Sequence, residues 1–266
     1  YSTTYLTRVT TGVKDSAGNT LSSQYETSSG FTTTGLFVGV GTDGLILSSP
    51  EGTTWTSRTS DVTTTPFQSI TNDNSTFVVV GQSGKIVTST DGLSWTSRTS
   101  GKSESLREVT HGIGLFLIVG DSGTVLTSSD NGTSWTSRTL GSSDNLLSVT
   151  YGNNLFVAVG QGGVIFTSTD GTSWTSRTSG TTNHLYGVTY GNNIYVAVGY
   201  NGYILSSSDG TTWTSRTSPT DIKRTAISFG NDTFVSVGST GSIITSTDNG
   251  TTWDNATSGT TTGKES

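Results

Sequence analysis

The side chains that could support chemistry in this chain are few and widely spaced. The chain has no Cys and only two His, His111 and His184, so a thiolate metal site is impossible. His111 falls in a slot that aromatic residues occupy in similar segments, which predicts a packed strand residue, whereas His184 falls in a predicted loop. Two isolated imidazoles make a poor transition-metal site, so we expect neither a metal ion nor a cofactor.

The charged residues also fail to form a recognisable catalytic set. Five Arg recur about every 40 residues, which places them around a circumference where they cannot converge: Arg58, Arg98, Arg138, Arg177 and Arg216. Only Arg107 and Arg224 precede apolar runs that could lie near a centre. A glycosidase needs two facing carboxylates, and the sequence predicts no such pair. We therefore expect no catalytic residues.

One segment gathers residues suited to binding. The candidate ligand-binding residues are His184, Tyr186, Tyr200, Asn201 and Tyr203. Aromatic rings beside amide and imidazole groups suit a sugar ring or a protein epitope. Ordinary packing between sheets is the alternative for Tyr186 and Tyr203. The expected partner is a cell-surface glycan or a receptor.

The elements that position these residues follow from a repeat. The six Trp lie at spacings of 40, 40, 39, 39 and 40 residues: Trp55, Trp95, Trp135, Trp174, Trp213 and Trp253. Trp-Thr-Ser-Arg-Thr follows the first five, and Asp-Gly or Asp-Asn-Gly precedes most of them. A period near 40 without a helical pattern is typical of a β-propeller. We number the repeats one to six by their Trp.

Residues 185–218 illustrate one repeat. Apolar runs at 185–190 and 194–199 are separated by Gly191-Asn192-Asn193, and Tyr200-Asn201-Gly202 precedes a more polar run at 203–208. Such Asn-Gly pairs mark tight turns between antiparallel strands. A fourth run, 212–217, is rich in Ser and Thr. The sequence therefore predicts an all-β fold, a six-bladed β-propeller of four-stranded antiparallel blades.

Three regions are expected along the chain. Residues 26–257 form the propeller, and residues 258–266 form a flexible tail. Residues 1–25 form either a strand that closes the ring on the last blade near 253–257 or an arm that reaches a neighbouring subunit. In the first repeat, Phe31-Thr32-Thr33-Thr34-Gly35 replaces the usual inner strand and turn.

The repeats differ mainly in two sets of loops. One set leads from an outer strand to the next inner strand, and the other follows the second strand. In a four-stranded blade these loops share one face, so we expect ligand binding there. Neutral drift in exposed loops is the alternative explanation of their variation.

The segment Ser-Thr-Asp-Gly-Leu-Ser-Trp at 89–95 and its copies resemble the Asp-box, or BNR repeat. The matching residues are Asp91, Asp130, Asp170, Asp209 and Asp248, each followed by a Trp of the repeat, whereas the first copy has Pro50-Glu51. The resemblance implies a propeller in which these Asp and Trp residues stabilise a turn at the outer rim.

The Asp-box occurs in sialidases, in photosystem assembly factors and in secreted or phage-borne propellers. Resemblance to sialidases would imply three converging Arg, an Asp acid/base and a Tyr–Glu pair. Arg107 and Arg224 are too few, and the chain offers no such Tyr–Glu pair. A sialidase-like hydrolase and a photosystem-type assembly factor are therefore the alternatives to a non-enzymatic binding or structural module.

Composition narrows the possible fold classes, ligands and location of the protein. Ser and Thr exceed a third of the chain and Gly numbers 35, which excludes a helix bundle, and 9% aromatic residues with a net charge of −6 argue against disorder. Acidic residues outnumber basic ones, which argues against nucleic-acid binding, and no apolar run reaches membrane-spanning length. The Thr/Ser/Gly-rich, Cys-free composition resembles phage tail, fibre or capsid-decoration proteins and bacterial adhesins, which implies an extracellular or virion location.

Overall fold

The computed structural model describes residues 2–5, 8–9, 25–26, 31–34, 36–62, 64–73, 75–257 and 259, with side chains from residue 36 onward. Its regular elements are β-strands and three-residue 3-10 turns. The chain divides into two compact units, one formed by 1–39 with 46–58 and the other by 40–45 with 59–266. Within the described residues, no helix is long and apolar enough to cross a membrane.

The first unit contains short ladders near the amino terminus. Strand β1 (Ser2–Tyr5) pairs with β4 (Phe31–Thr34), and β2 (Arg8–Val9) pairs with β3 (Tyr25–Glu26). The segment 31–35, which the sequence predicts to stand in place of the usual inner strand and turn, contributes Phe31–Thr34 to the ladder with Ser2–Tyr5. The run Phe-Thr-Thr-Thr lacks the aliphatic residues that the other inner strands bury.

Among the residues described, the sheet of the first repeat has three strands rather than four. These are β5 (Phe37–Val40), β6 (Ile46–Ser49) and β7 (Thr56–Arg58), which form one sheet in that order. The prediction that the amino-terminal segment pairs with the last blade near 253–257 falls partly on residues outside those that the structure describes. In the described ladders, Ser2–Tyr5 pairs with Phe31–Thr34.

The second to sixth repeats each form a four-stranded antiparallel sheet in which consecutive strands are neighbours. The second repeat contains β8 (Phe67–Asn72), β9 (Phe77–Gly81), β10 (Ile86–Ser89) and β11 (Thr96–Arg98), and the third contains β12 (Leu106–Gly112), β13 (Leu115–Gly120), β14 (Val125–Ser128) and β15 (Thr136–Arg138). The fourth repeat contains β16 (Leu146–Gly152), β17 (Leu155–Gly160), β18 (Ile165–Ser168) and β19 (Thr175–Arg177), and the fifth contains β20 (Leu185–Gly191), β21 (Ile194–Gly199), β22 (Ile204–Ser207) and β23 (Thr214–Arg216). The sixth repeat contains β24 (Arg224–Gly230), β25 (Thr233–Gly238), β26 (Ile243–Ser246) and β27 (Asp254–Ala256). The predicted all-β, six-bladed propeller class is confirmed, with a three-stranded first blade.

The core lies between successive sheets of the second unit. Second strands such as β17 are buried over almost their whole length, whereas the first two residues of each outer strand are exposed. Apolar clusters join neighbouring repeats; in one, Leu106 and Val109 pack with Val78 and Val80 of the preceding repeat. Burial on both faces explains why these strands are apolar without alternation.

The inner strands are also joined by hydrogen bonds between repeats. The Val109 N–H donates to Ser69 Oγ at 3.3 Å, the Val149 N–H to Glu108 Oε2 at 3.0 Å, and the Val188 N–H to Ser148 Oγ at 3.0 Å. The next equivalent position is Gly187, which has no side-chain oxygen and lies beside the backbone N of Ile227. The junction of the fifth and sixth repeats therefore lacks this contact.

The Asp-box turns are held by their carboxylates. Asp91 Oδ1 accepts the Leu93 and Ser94 N–H groups at 2.8 Å, and the other four Asp accept equivalent donors. In the first repeat Glu51 accepts the Thr54 N–H at 3.0 Å. Hydrogen bonds from Ser134 lower the pKa of Asp130 to about 2, and those from Thr252 do the same for Asp248. Each carboxylate is thus occupied within its own turn.

The recurring Arg residues all make the same hydrogen bond, whereas the recurring Trp residues differ in how far they are buried. Each Arg of the recurring set donates from Nε to a Ser or Thr hydroxyl of the adjacent third strand at 2.6–2.9 Å. Trp95 and Trp253 are buried, Trp135, Trp174 and Trp213 are partly buried against apolar clusters, and Trp55 is 43% exposed. Trp55 therefore departs from the buried ring expected of the repeat.

We expect Gly187→Ser to stabilise the protein, because its hydroxyl would accept the Ile227 N–H as Ser148 accepts that of Val188. Gly187 does not have a positive φ, and an added Cβ would lie 3.3 Å from Ile227 N. The free energy of unfolding in urea should exceed that of Gly187→Ala by about 1 kcal/mol. Equal stability of the two variants would contradict the proposed role of the hydroxyl.

Candidate functional site

The two variable loop sets lie on one face of the second unit, as the sequence predicts. A 3-10 turn follows each second strand: Gln82–Gly84, Asp121–Gly123, Gln161–Gly163, Tyr200–Gly202 and Ser239–Gly241. The first N–H of each turn donates to the carbonyl before the inner strand of the same repeat, as from Tyr200 to His184 at 2.9 Å. The start of each inner strand is thereby fixed beside the turn.

Each turn also contacts the loop that enters the next repeat. The Gly123 N–H donates to the Asp144 carbonyl at 2.9 Å, and the Ser122 N–H donates to Asn145 Oδ1 at 2.7 Å. In the following repeat, the Gly162 N–H donates to His184 Nδ1 at 2.8 Å. His184 and Asn145 therefore occupy equivalent positions and bind the turn of the preceding repeat in the same way.

The structure brings three of the predicted binding residues together. The rings of His184 and Tyr186 lie 6.1 Å apart and nearly perpendicular. Tyr200 is 47% exposed and is bonded through its N–H to His184. Partial burial, together with the neighbouring Tyr200, raises the pKa of Tyr186, so its hydroxyl stays protonated at neutral pH.

Lys223 belongs to this cluster although it precedes the inner strand of the next repeat. Its Nζ lies 4.3 Å from the centroid of the Tyr186 ring, a cation–π distance. Lys223 occupies the position equivalent to His184 and Asn145. We call His184, Tyr186, Tyr200 and Lys223 the aromatic–lysine cluster.

The other two predicted residues have local roles. Asn201 is exposed and is the central residue of its turn, with a φ of 52°, a left-handed conformation that Asn tolerates well. Tyr203 follows the turn and packs against an apolar cluster that contains Leu185 and Val188. The structure therefore matches the packing alternative for Tyr203, and it gives Asn201 no hydrogen bond to the aromatic–lysine cluster within the described residues.

A cavity of about 690 Å³ adjoins this face among the inner strands. Its lining includes Tyr186, Arg107, Glu108 and Thr225, together with apolar side chains such as Leu147. Tyr186 thus belongs to both the aromatic–lysine cluster and the cavity wall. A ligand held by the cluster could extend into a space that offers both apolar contacts and hydrogen bonds.

Arg107 and Glu108, two charged residues of the third repeat that line the cavity, are bonded within the protein. Arg107 donates to Asp121 through Nε and Nη2 at 2.8 and 2.7 Å, a bidentate ion pair. Burial raises the pKa of Glu108 to about 7, although hydrogen bonds from Ser148 and the Val149 N–H oppose this. Within the described residues, no group of three His, Cys, Asp or Glu could hold a metal ion.

Arg224 has an unusual environment for a cation. It is fully buried at a position where the other four-stranded repeats have Phe or Leu, and its Nη2 donates to Thr220 Oγ1. Its Nε and Nη1 have no hydrogen-bond partner among the described residues. Burial lowers its pKa, and the guanidinium is not available to a ligand in solution.

A family model places this architecture in a known group. The model described as the DUF6242 beta propeller domain matches residues 31–145 and 101–197, which together span more than half of the chain. The chain belongs to this family. No curated protein matches the sequence of this propeller.

Solved structures share the fold at low sequence identity. YCF48 bound to D1 peptide aligns with a TM-score of 0.69 and 20% identity over 84% of this propeller and 77% of that chain. YCF48 from Cyanidioschyzon merolae aligns with a TM-score of 0.68 and 18% identity over 85% of this propeller and 82% of that chain. The computationally designed Ika8 protein aligns with a TM-score of 0.65 and 12% identity over 87% of this propeller and 76% of that chain. These likenesses establish a propeller fold.

The sequence reasoning missed Lys223 and Glu108. Lys223 lies in the sixth repeat, whereas the predicted binding residues all belong to the fifth. Alignment of the residues before each inner strand would have placed Lys223 beside Tyr186. Glu108 is equivalent to Ser69 and Ser148, and an acid at a Ser position of a buried strand is the signal that could have identified it.

We expect the stability of the protein to fall as pH rises from about 4.5 to 7, because Glu108 binds its proton more tightly in the folded state, where its pKa is about 7 instead of 4.5. The loss of unfolding free energy should reach up to about 3 kcal/mol. Urea denaturation at pH 5 and pH 8 measures it. Glu108→Gln should remove this part of the pH dependence, and an unchanged dependence would contradict the assignment.

We expect His184→Ala to lower the free energy of unfolding by about 1 kcal/mol through loss of the bond to Gly162. His184→Asn should retain most of it, because Asn145 makes the equivalent bond. Amide hydrogen exchange at Gly162, measured by NMR, should accelerate in the Ala variant and not in the Asn variant. Equal exchange in both would show that the imidazole does not hold this turn.

Proposed function

We propose that this propeller is a non-catalytic binding module that holds a peptide segment of a partner protein on its loop face. The observation that carries the proposal is the exposed ring of Tyr200 beside Tyr186 and His184, next to a 690 Å³ cavity that Tyr186 lines. Aromatic rings and hydrogen-bonding side chains around a cavity are typical of sites that anchor a side chain of a partner.

The contacts of the charged residues favour binding over catalysis. Arg107 is paired with Asp121, and Arg224 is fully buried. Neither is free to join an arginine cluster of the sialidase kind. The acids nearest the cavity, Glu108 and Asp121, accept hydrogen bonds from Val149 and Arg107, which argues against two carboxylates facing a substrate.

A peptide is favoured over a glycan by the nature of the cavity and by one structural neighbour. Leu147, Val188 and Ile227 give the cavity apolar walls beside its polar groups, a combination suited to amino-acid side chains. One structural neighbour of the same fold is YCF48 bound to D1 peptide. At 20% identity this likeness supports the use of the fold for peptide binding, and a role in photosystem assembly remains the corresponding alternative.

A glycan is the second candidate ligand. Tyr200 is exposed enough to stack on a sugar ring, and His184 lies beside it with a hydrogen-bonding ring edge. The Ser/Thr-rich composition supports an extracellular or virion setting, in which cell-surface glycans, receptors and other virion proteins are available partners.

A display experiment separates these ligands. The immobilised protein is exposed to a random dodecapeptide display library, and in parallel to a glycan array. Enrichment of peptides on the wild type that is lost on Tyr200→Ala supports the proposal. Glycan binding with no peptide enrichment favours the second candidate, and the absence of both contradicts a binding role for this face.

We expect Tyr200→Ala to weaken the binding of an enriched peptide by about 1–3 kcal/mol, roughly ten- to a hundredfold, because the substitution removes an exposed aromatic contact. Fluorescence anisotropy measures the change, with circular dichroism as a check on folding. The matched control is Gln161→Ala at the equivalent exposed position of the fourth repeat, which should change affinity little. Equal losses in both variants would exclude a specific role for the fifth repeat.

A further inference from the structure

The aromatic–lysine cluster presents a positive charge that no carboxylate of the described residues neutralises. Lys223 Nζ lies over Tyr186 at 4.3 Å from the ring centroid. Within the described residues, the ion pairs are those of Arg107 with Asp121 and His111 with Asp73, so Lys223 has no carboxylate partner there. The Lys223 residue is only partly exposed, and a cation held against the protein surface attracts an anionic group more strongly than one in bulk water.

The imidazole of His184 supplies a hydrogen-bond donor at the same place. Its Nδ1 accepts the Gly162 N–H at 2.8 Å, so in the neutral ring the proton is on Nε2. The His184 carbonyl accepts the Tyr200 N–H, which fixes the backbone of the cluster. The free Nε2–H can therefore donate to a ligand without disturbing the bond to the turn.

The tyrosines add two further donors. Partial burial keeps the Tyr186 hydroxyl protonated, and Tyr200 is close enough to contribute to that effect. Lys223, His184 and both tyrosines can each donate a hydrogen bond, and the cluster contains no carboxylate. This set is complementary to a group that only accepts hydrogen bonds and bears negative charge.

The third repeat contains the intramolecular counterpart of such a contact. The positions of Tyr186 and Tyr200 correspond to those of Arg107 and Asp121, which form a bidentate ion pair. There the turn supplies a carboxylate to a cation on the inner strand. In the fifth repeat the turn carries Tyr200 instead, and the cation is supplied by Lys223 of the next repeat.

We propose that the aromatic–lysine cluster binds a carboxylate of the peptide partner, with the ammonium of Lys223 supplying the charge and His184 and Tyr200 supplying hydrogen bonds. This inference rests on the proposed function and names the group of the ligand that is recognised. An Asp or Glu side chain would reach the cluster while the neighbouring residues of the peptide contact the cavity lined by Tyr186.

Two fluorescein-labelled pools of amidated octapeptides test the proposal. They carry Glu or Gln at the fourth position and random residues other than Asp and Glu elsewhere. Binding of each pool to the wild type, to Lys223→Gln and to the control Lys85→Gln is followed by anisotropy. Lys85 is an exposed lysine after the turn of the second repeat, so the control removes the same charge away from the cluster.

We expect the wild type to bind the Glu pool about tenfold or more tightly than the Gln pool, since a charge-assisted hydrogen bond is lost in the latter. Lys223→Gln should reduce that ratio towards one, and Lys85→Gln should preserve it. Melting temperatures of the three proteins establish that each variant is folded.

Three outcomes would overturn the inference in distinguishable ways. If the wild type binds both pools equally, or if the ratio survives in Lys223→Gln, the peptide-binding function stands and carboxylate recognition by Lys223 is wrong. If neither pool binds, both proposals fail. If 3′-sialyllactose binds to the wild type and not to Lys223→Gln, and the peptides do not bind, then the recognised carboxylate belongs to an acidic sugar. The assignment of the carboxylate to a peptide is then wrong.

Discussion

The inner strand of each repeat has a strand partner on one side only, so its other edge needs hydrogen-bond acceptors from elsewhere. Ser69, Glu108 and Ser148 meet this need by accepting the N–H of the corresponding valine in the next repeat. An unpaired buried N–H is destabilising, so these contacts stabilise the junctions from the second to the fifth repeat, whereas the junction with the sixth repeat forms without one because Gly187 has no side-chain oxygen. The inner strands joined in this way begin beside the turns of the loop face.

Most of the fold was predictable because each repeat has similar turn residues and the same order of apolar and polar strands. The Trp spacing, the Asn-Gly turns and the apolar second strands gave the number of sheets and their antiparallel order. The first repeat departs from the pattern because Phe31–Thr34 has no aliphatic side chain to bury and pairs with Ser2–Tyr5. The pairing partner could not be predicted from the sequence, because a Thr-rich run without alternating apolar and polar residues does not specify a register.

The candidate site was predictable as a face, and only partly as a set of side chains. Loop variation located the face, and the unusual concentration of aromatics located the fifth repeat. Tyr203 is partly buried and packs against the apolar cluster because the residue after the turn directly precedes the buried strand β22. Lys223 was missed because contact across a junction depends on the offset between repeats, which composition does not reveal. The burial of Arg224 in a Leu or Phe position has no precedent in the other repeats that could have predicted it.

The residue before each inner strand differs in every four-stranded repeat: Pro66, Ser105, Asn145, His184 and Lys223. In all five, its main-chain carbonyl accepts the N–H of the turn. Since the backbone makes this contact, almost any side chain can occupy the position without loss of the fold. Selection can therefore alter ligand preference at this position at a modest cost in stability, which arises where the side chain also bonds the preceding turn, as for Asn145 and His184. The same five positions offer a protein engineer exchangeable contact residues on a conserved backbone framework.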